Sequence, residues 1–280
     1  MPINIVRHKE FVRAAATPLL AYHGGKLLQN VEVTLIYWGS AWANDPLRTS
    51  LDEFFNFVLA SPLIDQLAEY GPIGHGKLVQ SLWLGNNEPP NPIDDTQIQF
   101  ELQTLISQGT VGAPTPNSLY FVFTPAGTTV TIQGQSSCQD FCGYHSFVGN
   151  IVYAVDPYDD CPGCQFVPGD LVGSTTVPAS HELCEAITDP FLDGWFDDGS
   201  GEEIGDICAG QTKVLDTHGD LAAAATSYAV TIQPSMATLD GTTPISLAVA
   251  LTPTSSTPPP TPGQSWTVQK EWSNTSGSCV

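Results

Sequence analysis

The sequence predicts an α/β fold: a mixed sheet with packed helices in a zincin-like layered domain, followed by a β-rich C-terminal part. Two observations carry this reading. Between residues 31 and 189, short β-branched or aromatic runs alternate with stretches of helical apolar periodicity. Beyond residue 212 the helical pattern stops, and strand-like runs separated by turn residues replace it.

Residues 1–20 read as an N-terminal arm. Residues 31–38, VEVTLIYW, are β-branched and aromatic, hence a strand. Residues 51–70 are helical, with an apolar stripe through Phe54, Phe55, Val58 and Leu59 and a break at Ser61-Pro62. Residues 78–84 form a second strand, 88–92 a Pro-rich loop and 96–106 a second amphipathic helix. Ser118–Phe123 is nearly all apolar and therefore central in the sheet. A cysteine loop spans 138–164, interrupted by a short strand at 151–155. The next helix has Thr176 and Pro178 as start signals, and Pro190 stops it at Asp189.

These elements place residues 21–212 in one domain. Residues 213–280 are expected to pack on it as a β-rich segment. Its strands fall at 228–232, 245–251 and 265–272, with a Thr/Pro-rich tract at 252–262. No internal repeat occurs.

Charge narrows the function. The chain of 280 residues carries 8 Lys+Arg against 29 Asp+Glu, a formal net charge of -21. Such a surface repels nucleic acid and anionic membranes, and it gathers cations. No apolar run reaches the roughly 18 residues of a membrane span. The first residues lack a clear signal-peptide hydrophobic region. We expect a monomer.

The chain has 7 cysteines: Cys138, Cys142, Cys161, Cys164, Cys184, Cys208 and Cys279. The first four, C-x3-C then C-x2-C, read either as a pair of disulfides or as a four-thiolate zinc site. The Lys-poor composition and the Pro162-Gly163 insert favour disulfides. Cys184 falls inside the last helix and reads as a small core hydrophobe.

That helix carries the chemistry. His181 and Glu185 lie four residues apart, on one helical face, with Glu182 between them. The pattern is that of H-E-x-x-H, in which two histidines grip zinc and the glutamate is general base, with Glu185 in place of the second histidine. A catalytic zinc wants a third protein ligand, and Asp206 is the candidate, with Asp189, Glu203 and His145 as alternatives. Glu182 would take a proton from a metal-bound water. The competing reading is an ordinary polar helix face. The acidic turn 193–203 could wrap Ca2+, but it lacks the spacing of an EF-hand loop and reads better as a solvated turn. No G-x-S-x-G elbow, phosphate loop or dinucleotide fingerprint is present.

Several phrases, in order, resemble the EXORDIUM, or phosphate-induced-protein, family. They are Tyr22-His23-Gly24-Gly25, Leu35-Ile36-Tyr37-Trp38-Gly39, Cys142-Gly143-Tyr144-His145, Cys161-Pro162-Gly163-Cys164 and the His181-Glu182-Leu183 helix. Ile204-Gly205-Asp206-Ile207-Cys208 and Val268-Gln269-Lys270-Glu271-Trp272 follow. The resemblance implies a secreted, disulfide-containing protein, linked in plants to cell-wall growth responses, without a settled enzymatic activity. The chain departs from the plant pattern at Asp189 and in the insertion near 226–262.

The expectation is thus a secreted zinc metallohydrolase acting on peptide or protein substrates. A non-enzymatic extracellular or cell-wall-associated protein, or a structural metal-binding protein, is the alternative.

Overall fold

The computed structural model describes residues 5–7, 20–216, 228–233, 248–253 and 264–280. In chain order the first elements are β1 (Ile5–Arg7), β2 (Leu20–Tyr22), β3 (Glu32–Trp38), α1 (Pro46–Val58), α2 (Pro62–Gln66) and β4 (Lys77–Leu84). Next come β5 (Ile93–Asp94), α3 (Asp95–Ser107), β6 (Ser118–Phe123), β7 (Val130–Ile132), β8 (Gln135–Ser136), β9 (Phe141–Val148) and β10 (Ile151–Asp156). The chain then runs through α4 (Leu171–Thr188), β11 (Trp195–Asp197), a 3-10 turn at Asp206–Cys208 and β12 (Thr212–Asp216). The last strands are β13 (Tyr228–Gln233), β14 (Ala248–Pro253), β15 (Ser265–Gln269), β16 (Trp272–Ser273) and β17 (Ser278–Cys279).

The fold is mixed α/β. Its main sheet has six strands in the order β1-β9-β10-β6-β3-β4. The four from β4 to β10 run parallel, and β9 returns antiparallel beside β10. Parallel central strands must be apolar on both faces. In β3, accordingly, Val33, Leu35 and Tyr37 enter one core while Ile36 and Trp38 enter the other. The first core takes α1, α2 and α4; the second takes α3.

Helix starts follow side-chain caps. Asp45 accepts from Leu47 N–H ahead of Pro46, so α1 begins before the expected 51. Asp94 and Gln97 form a capping box on α3. Asp170 caps α4, so that helix starts at Leu171, and Pro178 lies inside it rather than at its start. The proline removes one backbone donor. Packing on both sides holds the helix regardless, since every residue from Gly173 to Thr188 is buried. The sheet lies on one side and β15 on the other: Thr176 Oγ1–H donates to the Thr267 carbonyl at 2.6 Å, and Gln269 N–H to Ser180 Oγ at 3.0 Å.

Other expectations are adjusted. Within the arm 1–20, Ile5–Arg7 pairs with β9 and Leu20 begins a strand, because both segments meet exposed strand edges. Residues 141–148, expected as loop, form β9, the antiparallel partner of β10. The strand expected over 265–272 is broken after Gln269, where Lys270 N–H turns away to the Gln211 carbonyl. The expected strands at 228–232 and 245–251 correspond to β13 and β14. Most of the tract 252–262 lies outside the described residues. A four-cysteine zinc site is overturned, because the thiols are consumed as Cys138–Cys161 and Cys142–Cys164. A third disulfide joins Cys208 to Cys279, and Cys184 is free and buried. Among the described residues, no helix is long and apolar enough to cross a membrane.

Candidate metal centre

Helix α4, β9 and the 3-10 turn converge on a buried cluster of imidazoles and carboxylates. His181, Glu182, Glu185 and His145 are each fully buried. The i, i+4 spacing sets His181 Nε2 2.9 Å from Glu185 Oε1. The turn folds back over this pair. Gly205 and Asp206 N–H donate to Glu185 Oε1 at 3.2 and 3.1 Å, and Asp206 Oδ1 lies 3.7 Å from His181 Nε2. Gly205 is required here, because a Cβ would sit 2.7 Å from His181 Nδ1.

Glu182 points off the adjacent helical face toward β9. His145 Nδ1 is 3.2 Å from Glu182 Oε2 and 3.6 Å from Glu185 Oε2. Gly143, also on β9, leaves room for this approach: a Cβ there would stand 3.2 Å from Glu182 Cγ.

Two sets of three ligand atoms therefore form, His181–Glu185–Asp206 and His145–Glu182–Glu185, each with all its atoms within 4.8 Å of one another. They share Glu185. Its Oε2 and Glu182 Oε1 make no hydrogen bond despite complete burial, and His181 Nε2 has only its carboxylate neighbours Glu185 and Asp206. A buried polar atom without a partner is costly unless something else neutralises it.

Neighbours set the tautomers. His145 Nε2–H donates to the Asp189 carbonyl at 3.3 Å, which leaves Nδ1 with a lone pair toward the two glutamates in the neutral ring. His181 differs. The Gln269 amide NH2 donates to the Gly205 carbonyl at 2.8 Å and lies 2.6 Å from His181 Nδ1. A neutral His181 therefore carries its proton on Nε2. For Nε2 to bind a cation, that proton must leave, with Gln269 turning its oxygen to Nδ1–H.

Electrostatics follow from burial against crowding. Burial alone would depress both imidazoles, but the carboxylates around them (Glu203 and Glu182 at His145, Glu185 at His181) raise both well above the usual histidine range. Burial opposes ionisation of Glu185, yet the two imidazoles bring it down to about 2. Burial, assisted by the Glu185 charge, pushes Asp206 up to about 8. Glu182 is raised by burial, with His145 and His181 pulling the other way.

Of the alternative ligands, His145 joins the centre. Glu203 Oε2 lies at its edge, 3.6 Å from His145 Nε2. Asp189 is occupied otherwise: its Oδ1 accepts from Asp193 and Gly194 N–H, both at 2.6 Å, and shapes the turn after α4. Glu271 and Gln269, which the sequence offers only within a phrase of the family resemblance and with no site role, also belong to the surroundings, since both are fully buried near His181. In the polar run Gln269-Lys270-Glu271 nothing local marks these two side chains as buried. Comparison with known protein families, with characterised proteins and with solved structures finds no match to this chain.

Proposed function

We propose that the chain is a secreted metalloprotein whose α4 centre holds zinc and hydrolyses peptide bonds. The observation that carries this is the convergence of His181, Glu185 and Asp206, from two separate elements, around unpartnered buried atoms. One imidazole with two carboxylates suits zinc, and a zinc ion held by three protein groups supplies a polarised water and a Lewis acid. Asp206 is the ligand at the solvent side, its side chain 16% exposed against 0% for His181. Glu182 would be the proton acceptor beside such a water: burial raises its affinity for a proton, and His145 holds its carboxylate in place. Gln269 is a positioning residue, acting through the tautomer of His181. The three disulfides fit an oxidising environment, which supports secretion, as does the EXORDIUM resemblance.

The completeness of burial favours a second reading, in which the ion only fastens α4 to the 203–208 turn, as a non-enzymatic extracellular protein allows. One experiment separates them. Zinc content and casein cleavage are measured for wild type, His181→Ala and Glu182→Gln. The enzymatic reading expects about one zinc per chain, lost in His181→Ala, and activity lost in Glu182→Gln with zinc kept. Zinc without any activity selects the structural reading; a metal-free wild type whose stability ignores chelator sinks both.

A further inference from the structure

We infer that the α4 centre seats a second divalent ion, of the zinc class, on His145, Glu182 and Glu185, with Glu185 bridging the two ions. This second site rests on the reading that His181, Glu185 and Asp206 hold the first. The bridge is visible in one side chain. Glu185 Oε1 lies 2.9 Å from His181 Nε2, whereas its Oε2 lies 3.6 Å from His145 Nδ1. The two oxygens of one carboxylate thus face two different imidazoles. Oε2 makes no hydrogen bond, although the side chain is 0% exposed.

The spacing suits an ion. His145 Nδ1 is 3.2 Å from Glu182 Oε2, and the three ligand atoms of this set lie within 4.8 Å of one another. Donors on a tetrahedral zinc, each about 2.1 Å from the metal, stand roughly 3.4 Å apart. The ring is already turned for the purpose. Its Nε2–H is held by the Asp189 carbonyl at 3.3 Å, so neutral His145 presents the Nδ1 lone pair with no proton to shed. Lone pairs of one nitrogen and two carboxylates repel one another until a proton or a cation enters between them. One imidazole with two carboxylates suits zinc or cobalt, whereas calcium takes six to eight oxygens.

Charge points the same way. Three further acids, Asp156, Glu203 and Glu271, are at most 1% exposed and act on the same imidazoles and carboxylates. A single divalent ion leaves much of that charge uncompensated. Ions arriving from solvent meet Asp206 first, its side chain 16% exposed, whereas His145 and Glu182 are sealed. The second ion also meets the charge of the first, so it binds more weakly. Once seated, it takes up the Glu182 carboxylate that would accept the water proton. Excess zinc therefore switches the centre off.

The test dialyses the full chain against rising zinc and measures metal content and casein cleavage. Content should pass about one ion per chain and level at about two, the second binding at least about tenfold more weakly. Cleavage should peak near one ion and fall at least about tenfold toward two, as loss of a general base requires. His145→Ala and the nearly isosteric Glu182→Gln should each level at about one over the same range. In the cobalt-loaded wild type, the paramagnetic signal of the first ion should change as the second enters, because a shared carboxylate couples their spins. A wild type that levels at one ion overturns the proposal and leaves the zinc reading standing. So does a second ion that both variants bind as well as wild type, or undiminished cleavage with two ions bound. A chain that cleaves nothing refutes the peptidase, and the metal counts and cobalt signal still decide the second site. A wild type that binds no zinc overturns both.

Discussion

Two acidic regions lie within a few residues of each other and behave in opposite ways. The turn at 193–202 holds a denser run of carboxylates than α4, yet its central aspartate is satisfied within the turn. Asp197 Oδ1 accepts from Gly199 N–H, Ser200 N–H and Ser200 Oγ–H, and Asp198 lies at the surface, 2.8 Å from His23 Nε2. In the α4 cluster His145, His181, Glu182 and Glu185 are fully buried, and one carboxylate oxygen each of Glu182 and Glu185 makes no hydrogen bond. Acidity does not distinguish the two; burial without hydrogen bonds does. The first lies open to solvent, and the second must find its counter-charge inside the protein.

The contrast can be broken by mutation. Glu185→Ala leaves two imidazoles and two backbone N–H groups without their carboxylate, and should cost about 3–5 kcal/mol in denaturant unfolding. A loss below about 1 kcal/mol would make the cluster no different from the surface turn. Gly205→Ala drives a methyl into the His181 ring and should cost about 1–3 kcal/mol, with zinc content falling in parallel. Retained zinc at wild-type stability would mean that the 3-10 turn can move away freely.

pH sharpens the same comparison. Burial raises Glu271 from 4.5 to about 8. An acid whose folded pKa is raised lends stability below its unfolded value, and that stability is lost as pH rises through the folded one. With chelator present, Tm should therefore fall between about pH 4.5 and 8, and Glu271→Gln should flatten the fall. Glu185 has the opposite sign: its folded value of about 2 means stability is present above 4.5 and lost as acid approaches 2. The smallest effect belongs to the turn. Asp198→Ala should change stability by no more than about 0.5 kcal/mol, and a larger loss would show that the turn, too, depends on charge.

Much of this was legible in sequence. The β-branched run of β3 and the apolar run of β6 mark the sheet centre, and one helical period puts His181 and Glu185 together. Asp206 could be named because a turn-rich stretch leads back toward the helix. His145 could be offered only as an alternative. It lies on β9, where Cys142 and Gly143 interrupt the strand pattern and a buried partner strand overrides weak propensity. The start of α4 at Leu171 is hidden in the sequence for a similar reason. Pro178 is a strong local signal, but burial on two sides outweighs the hydrogen bond it removes. The tautomer of His181, set by Gln269 from 88 residues away, has no local signature at all.

The Cys208–Cys279 bridge spans 71 residues and closes a segment rooted by the β12–β15 pair. Its far end pins the chain two residues from Asp206. Asp216 and Ser265 are held side by side at the end of that pair. The bridge thus ties the 3-10 turn that carries Asp206 directly to β17. The bridge is a latch on the centre: reducing it should free the turn that brings Asp206 to His181.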